Sequence, residues 1–159
     1  MTTVQRLMTP EKTLLVQRTW QKLAPLAETA ARLFYNRLFE IDPPLHAMFD
    51  AVEMKGQGRK VIQALALVVN GLDRADELLP VIEALGRRHA AYGVSDAHYD
   101  TVGAALIWTL EKGLGDAWSE EVAAAWTEAY LLLANAMRAA GNEATSSRSL
   151  ETTTSQPVG

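Results

Sequence analysis

The sequence predicts an all-α fold, and three observations carry that reading. Almost nothing alternates with period two, apolar residues recur at spacings of three and four in segment after segment, and capping residues, prolines and glycines punctuate the intervals. In order, Thr9-Pro10-Glu11 supplies an N-cap, a first-turn proline and an acid at the positive end of a first helix, with Val16, Trp20 and Leu23 as its buried stripe. A second helix is expected from about Leu26 to Phe39, with Ala31, Tyr35, Leu38 and Phe39 on one side, ended by Asp42-Pro43-Pro44. A short turn holds Phe49, and a polar connection from Asp50 to Gly56 leads to a longer helix beginning near Gln57. On that helix Gln57, Val61, Leu65, Val68 and Leu72 trace one face. Residues 78–91 form the next helix, and Ser95-Asp96 starts another that stops around Gly113 and Gly115. Ser119-Glu120-Glu121 begins the last, which buries Val122, Trp126, Tyr130, Leu133 and Met137. No internal repeat is present. Residues 1–8 read as an N-terminal extension, 9–140 as the folded domain, and the Ser/Thr/Gln/Gly-rich stretch 141–159 as a disordered tail.

At 159 residues the chain suits one domain, large enough to bury roughly two thirds of the surface its unfolded form exposes. The net charge of −4 and the scattering of Lys and Arg argue against nucleic acid as a partner. With no cysteine, disulfides, thiolate zinc sites, iron–sulfur clusters and thioether attachment of a cofactor are excluded. No apolar run approaches a membrane span and no leader pattern opens the chain, so a cytoplasmic location is expected.

His89 is the residue on which function turns. It lies in Leu85-Gly-Arg-Arg-His89-Ala-Ala-Tyr-Gly-Val94, and Ile82, Leu85 and His89 share one helical face, which aims the imidazole at the interior. A titratable ring in apolar surroundings needs a partner. One reading is a hydrogen bond to a backbone carbonyl, the commoner fate of a lone histidine. The other is a metal held by a flat apolar cofactor, which requires no second protein ligand nearby.

The pieces Leu33-Phe-Tyr35-Asn-Arg-Leu-Phe39, Asp42-Pro43, Met48-Phe49, Gln57-Gly-Arg-Lys60-Val61, Leu85-Gly-Arg-Arg-His89, Tyr92-Gly-Val94, His98-Tyr99 and Ala125-Trp126-Thr-Glu-Ala-Tyr130, in that order over residues 10–140, resemble the bacterial single-domain haemoglobins. These are the globins of Vitreoscilla type and of the methanotroph, Hell's Gate type, related to the globin part of flavohaemoglobins. The resemblance implies a globin fold, a three-over-three helical sandwich around a noncovalent haem b. It implies His89 as the proximal iron ligand and Tyr35 and Gln57 as hydrogen-bond donors on the opposite side, where both would stabilise charge developing on bound dioxygen. Taken singly, Tyr35 also reads as a core aromatic and Gln57 as a solvated first-turn residue.

The same resemblance makes Phe49 a ring stacked on the porphyrin and Val61 and Leu65 its apolar wall, with Leu85, Val94 and Val102 as further cofactor contacts. Lys60 and Arg88 are candidates for the haem propionates, with solvent-exposed roles equally open. Tyr99 falls where related globins place a proximal tyrosine that works with a last-helix glutamate. That glutamate is missing: the corresponding position is Gly141, and Glu143 lies two residues beyond, off that face. His46 and His98 suit surface positions.

The leading functional expectation is reversible binding and transport of dioxygen, and of other diatomics such as carbon monoxide and nitric oxide, at a pentacoordinate haem. A second is nitric oxide dioxygenation served by a separate reductase. A third, of another class, is a sensor or interaction module whose bundle binds a different chromophore or partner. Monomer and homodimer are both compatible with the resemblance.

Overall fold

The computed structural model describes residues 8–50 and 52–155. Among these residues there is no strand. Six α-helices follow one another: α1 (Pro10–Leu23), α2 (Ala27–Ile41), α3 (Met54–Asn70), α4 (Ala75–Ala91), α5 (Asp96–Leu114) and α6 (Glu120–Ser155). A 3-10 turn at Ala24–Leu26, carrying Pro25, joins α1 to α2, and a longer 3-10 segment, Pro43–Phe49, follows α2.

Local chemistry sets the boundaries. The Thr9 side chain accepts from the Lys12 amide at 3.3 Å, and Pro10 opens α1, where a missing N–H is harmless. The helix α3 starts at Met54 and not near Gln57, because the Glu53 carboxylate caps the Gly56 amide at 2.9 Å; a glutamate cap is invisible to a search for Ser, Thr, Asp or Asn. Similarly α4 begins at Ala75, three residues before the expected start, and carries Pro80 within it. Proline there leaves only the carbonyl one turn back without its helical donor, and Asp76 is exposed to water.

The helices α4 and α6 lie along one another, as do α2 and α5, while α1 packs on α6, α3 and α5. Two crossings are set by residues without room for a larger side chain. Where α4 meets α6, a Cβ on Gly86 would strike the Met137 backbone, and where α2 meets α3, a Cβ on Gly58 would stand 3.1 Å from that of Ala31. The core between the layers holds Val16, Trp20, Leu23, Phe34, Leu38, Val68, Leu72, Ile82, Leu106, Leu110 and Trp126. Its internal polar bond runs from the Trp126 indole N–H to Thr19 Oγ1 at 2.8 Å, and the Thr19 hydroxyl donates onward to the Leu15 carbonyl at 2.7 Å.

The expected break at Gly141 is absent: α6 continues to Ser155. Gly141 is a buried crossing residue rather than a helix stop, and a Cβ there would come within 3.1 Å of both the Ala90 Cβ and the Gly86 carbonyl. Met8, assigned to the N-terminal extension, is buried in the core; the remainder of that extension and residues 156–159 lie outside the described residues.

Candidate functional site

A turn at Gly71–Arg74 joins α3 to α4, with the Arg74 amide donating to the Gly71 carbonyl at 2.9 Å. Six of the residues expected at the site are apolar yet only half-buried. Val61 and Leu65 come from α3, Leu85 from α4, Val94 from the loop after it, Val102 from α5 and Phe49 from the 3-10 segment, all packed against the core. Half-buried apolar residues leave surface that an apolar ligand would cover.

On the α4 side, His89 is half-buried and its Nδ1 lies 2.8 Å from the Leu85 carbonyl oxygen. A carbonyl only accepts, so Nδ1 carries the proton and Nε2 keeps its lone pair. The carbonyl-bonded reading of His89 and the metal-ligand reading are therefore compatible, one for each ring nitrogen. The loop beyond is tied to the same residue, for Val94 N–H donates to the His89 carbonyl at 3.0 Å, with Gly93 at φ 88° making the reversal.

On the α2–α3 side, Gln57 Nε2 donates to the Tyr35 hydroxyl oxygen at 3.1 Å. The Gly58–Ala31 approach brings these two residues from different helices into reach. Tyr35 is 7% exposed, and burial pushes its phenol above the ordinary value, with the Gln57 bond opposing. The phenol therefore stays protonated, and because its oxygen accepts from Gln57, its own O–H remains available to donate. Phe34 and Phe49 set the ring by edge-on contacts, at centroid distances of 5.0 and 5.5 Å. Behind Val61 and Leu65 lies an apolar cavity of about 20 Å³, bounded by Trp20, Phe34 and Leu106 among others.

Tyr99 is buried, at 8% exposure, and sits in a network that the sequence did not announce. The Arg138 guanidinium lies 5.2 Å from its ring centroid and bonds Asp100 Oδ1 at 2.9 Å and the Asp96 carbonyl at 3.3 Å. The Tyr130 hydroxyl donates to the Tyr99 carbonyl at 2.5 Å. Burial raises the Tyr99 phenol, Arg138 lowers it and Asp96 raises it; burial likewise drives Tyr130 upward. Among the described residues the Tyr99 hydroxyl makes no hydrogen bond to His89, so the network holds the ring and backbone of Tyr99 rather than linking it to the imidazole.

Lys60 and Arg88 are exposed, with no ion pair among the described residues. His98 accepts from the Ser95 amide at 3.0 Å and caps α5, while His46 is exposed and packs edge-on against Phe39 at 4.6 Å. Phe34 and Arg138 were missed in the sequence. Phe34 could have been read from its i−1 place beside Tyr35, whereas no spacing rule points from Arg138 to Tyr99, 39 residues away.

No group of three or more His, Asp or Glu is arranged to hold a metal among the described residues. An imidazole whose Nδ1 is held by a backbone carbonyl and whose Nε2 is left to coordinate would suit the iron of a porphyrin, which needs no second protein ligand. The described residues define an all-helical protein with His89 half-buried in it and bonded to a backbone carbonyl.

The family comparison agrees. The Globin family model matches residues 32–137, and the chain belongs to the globin family. The Flavohemoprotein of Rhodopirellula baltica is 32% identical over 131 residues, covering 80% of this chain and 32% of that protein. The chain thus spans about a third of the length of the flavohaemoproteins it matches. The Anaerobic nitrite reductase NSHB5 of Oryza sativa subsp. indica is 34% identical over 131 residues, covering 78% of this chain and 89% of that protein. Among solved structures, a hexacoordinated heme protein from an anhydrobiotic tardigrade superposes with a TM-score of 0.77 at 18% identity, covering 85% of this chain and 96% of that one. A bacterial globin from Campylobacter jejuni gives 0.75 at 20% identity, covering 85% and 97%. These two likenesses speak to the fold. Among the described residues no helix is long and apolar enough to cross a membrane.

Proposed function

We propose that the chain binds dioxygen reversibly at a noncovalent, pentacoordinate haem b, with His89 as the proximal ligand and Tyr35 as the direct distal donor. The observation that carries this reading is the Gln57-to-Tyr35 hydrogen bond at 3.1 Å, which orients a neutral phenol whose proton is uncommitted. When bound, haem supplies an iron with one position open to a diatomic gas. The residues do the rest. The Leu85 carbonyl fixes the His89 tautomer and ring plane. Tyr35 donates to an acceptor in the cleft, and Val61, Leu65 and Phe49 keep water from competing for that bond. Carbon monoxide, a weaker acceptor, gains less from the same donor. Lys60 and Arg88, both exposed, are the cations available to propionates. Stopped-flow measurement of oxygen dissociation tests the proposal: slow release that accelerates in Tyr35→Phe supports it, and release at the same rate in both proteins contradicts it.

A second reading is nitric oxide dioxygenation, favoured by the matches to flavohaemoproteins. In that reading haem would supply the iron at which nitric oxide and dioxygen become nitrate, one electron per nitrate would come from a separate reductase, and His89 and Tyr35 would keep the roles given above. Gly141 at the place of the family glutamate leaves the proximal side without its carboxylate, which favours holding oxygen over activating it. Sustained nitrate production with a reductase present, against a single turnover without it, separates the enzyme from the carrier.

A further inference from the structure

The chain has three histidines, His46, His89 and His98, and each uses its Nδ1 differently. His89 Nδ1 faces the Leu85 carbonyl oxygen and so carries the proton. His46 Nδ1 is exposed and lies 3.9 Å from Asp50 Oδ1, where a second ring proton brings a charge toward a carboxylate. His98, half-buried, has the opposite polarity, for its Nδ1 accepts from the Ser95 backbone N–H at 3.0 Å. An N–H only donates, so this bond exists in the neutral ring alone, with the proton on Nε2. Protonation puts a hydrogen on the very atom that accepts. It also sets a positive charge in the first turn of α5, at the positive end of the helix dipole. Both effects open the contact.

The contact fastens a loop. At the third helical position a glutamate or glutamine commonly reaches back to the N-cap amide; here a histidine does that work with a group that titrates between about pH 5 and 8. His98 N–H in turn donates to the Ser95 carbonyl at 3.0 Å. Just before Ser95, Val94 packs on the core and its N–H donates to the His89 carbonyl at 3.0 Å. Between the two helices Gly93, at φ 88° with open space around it, gives the reversal no side-chain packing. The loop is thus tied to the His89 backbone at one end and to the His98 ring at the other. The charged groups at this end of the molecule are Asp96 and Asp100 on α5, Arg88 in the last turn of α4, and Arg138 on α6. Arg138 bonds Asp100 Oδ1 at 2.9 Å and the Asp96 carbonyl at 3.3 Å, and stands 3.9 Å from Asp96 Oδ1. These bonds hold α5 to α6 without the imidazole, so opening the His98 contact releases the loop and leaves α5 docked.

We propose that His98 is an acid-operated latch on the loop joining α4 to α5, shut while its ring is neutral and opened by protonation, which loosens the backbone around His89. Opening takes up a proton, so the open form gains as pH falls. The inference stands on the Ser95–His98 and Val94–His89 bonds and does not depend on a cofactor.

The test is NMR on the full chain, as the carbon monoxide complex where haem is bound. Amide protection of Val94 and Ser95, each exchange rate divided by that of a free peptide at the same pH, is measured at about pH 8 and about pH 5.5. Wild type is compared with His98→Gln, which keeps an acceptor that does not titrate, with His98→Ala, and with the control His46→Gln. The expected result is protection of both amides falling about fivefold toward acid in wild type, the size of a lost cap, with the midpoint of the His98 ring titration. In His98→Gln protection stays high at both pH values, in His98→Ala it is low at both, and His46→Gln behaves as wild type. Protection in wild type that does not fall, a fall that persists in His98→Gln, or a fall at Ser95 that never reaches Val94 overturns the proposal. Should His98→Ala fail to fold, wild type and His98→Gln decide the matter alone.

Discussion

Gln57 spends a side-chain N–H on the oxygen of Tyr35, 3.1 Å away. In the proposed function the two residues therefore act in series, with the amide orienting a phenol whose own proton stays available, rather than as two independent donors. Oxygen dissociation distinguishes the arrangements. Tyr35→Phe removes a bond to a charged acceptor, about 1.5–3 kcal/mol, and is expected to speed release roughly ten- to hundredfold. Gln57→Leu is expected to have a smaller effect, and Tyr35→Phe/Gln57→Leu to match Tyr35→Phe alone. Additive effects in the double variant would show two separate donors.

The α4–α6 crossing allows no side chain at position 86, where a Cβ meets Met137 backbone that has no rotamer to change. Gly86→Ala is expected to destabilise by about 3 kcal/mol or more. Gly93, with φ 88° and open space around it, loses only the left-handed preference, so Gly93→Ala costs about 1–2 kcal/mol. Chemical denaturation of both variants checks the ranking; equal losses would mean that the crossing is not tight.

Trp126 donates to Thr19 inside the core at 2.8 Å. Thr19→Val keeps the volume and strands the indole N–H, a loss of about 1–3 kcal/mol. Trp126→Phe in that background is expected to recover part of the loss, because no donor is then left buried. An unchanged midpoint in Thr19→Val would show that the indole finds water instead.

Three phenols, Tyr35, Tyr99 and Tyr130, are raised above their ordinary value by burial. A phenol whose folded value exceeds its unfolded one stabilises the fold fully below the unfolded value, near 10, and that contribution is lost as pH rises through the folded value. Stability is therefore expected to be insensitive to these groups up to about pH 10 and to fall above it. Tyrosinate absorbance read alongside helical circular dichroism checks this: these three phenols ionise with unfolding, and their titration in a fully helical protein would contradict it.

Much of the molecule could be read from residue order because its signals are local. Thr9-Pro10 starts α1, Asp42-Pro43-Pro44 ends α2, and Ile82, Leu85 and His89 share a face. The resemblance made Tyr35 and Gln57 two donors to a bound gas, whereas the bond from Gln57 to Tyr35 needed coordinates, since each side chain can donate and accept. Positions decided by tertiary contact were illegible. Gly141 looks like a helix stop in isolation, yet it is a crossing residue against Ala90. Arg138 looks like a solvated cation, yet it lies over the ring of Tyr99.

The imidazole of His89 bears the central claim, and replacing it with a ligand that can be added or withheld tests it most directly. Absorption spectra of wild type and His89→Gly, each mixed with haem, reduced, and exposed to carbon monoxide, are compared with and without imidazole. The account predicts a five-coordinate ferrous spectrum and a sharp carbonyl Soret band in wild type, weak haem retention in His89→Gly, and recovery of the wild-type spectrum when imidazole is supplied. A His89→Gly protein that holds haem with an unaltered ferrous spectrum, indifferent to imidazole, would contradict it.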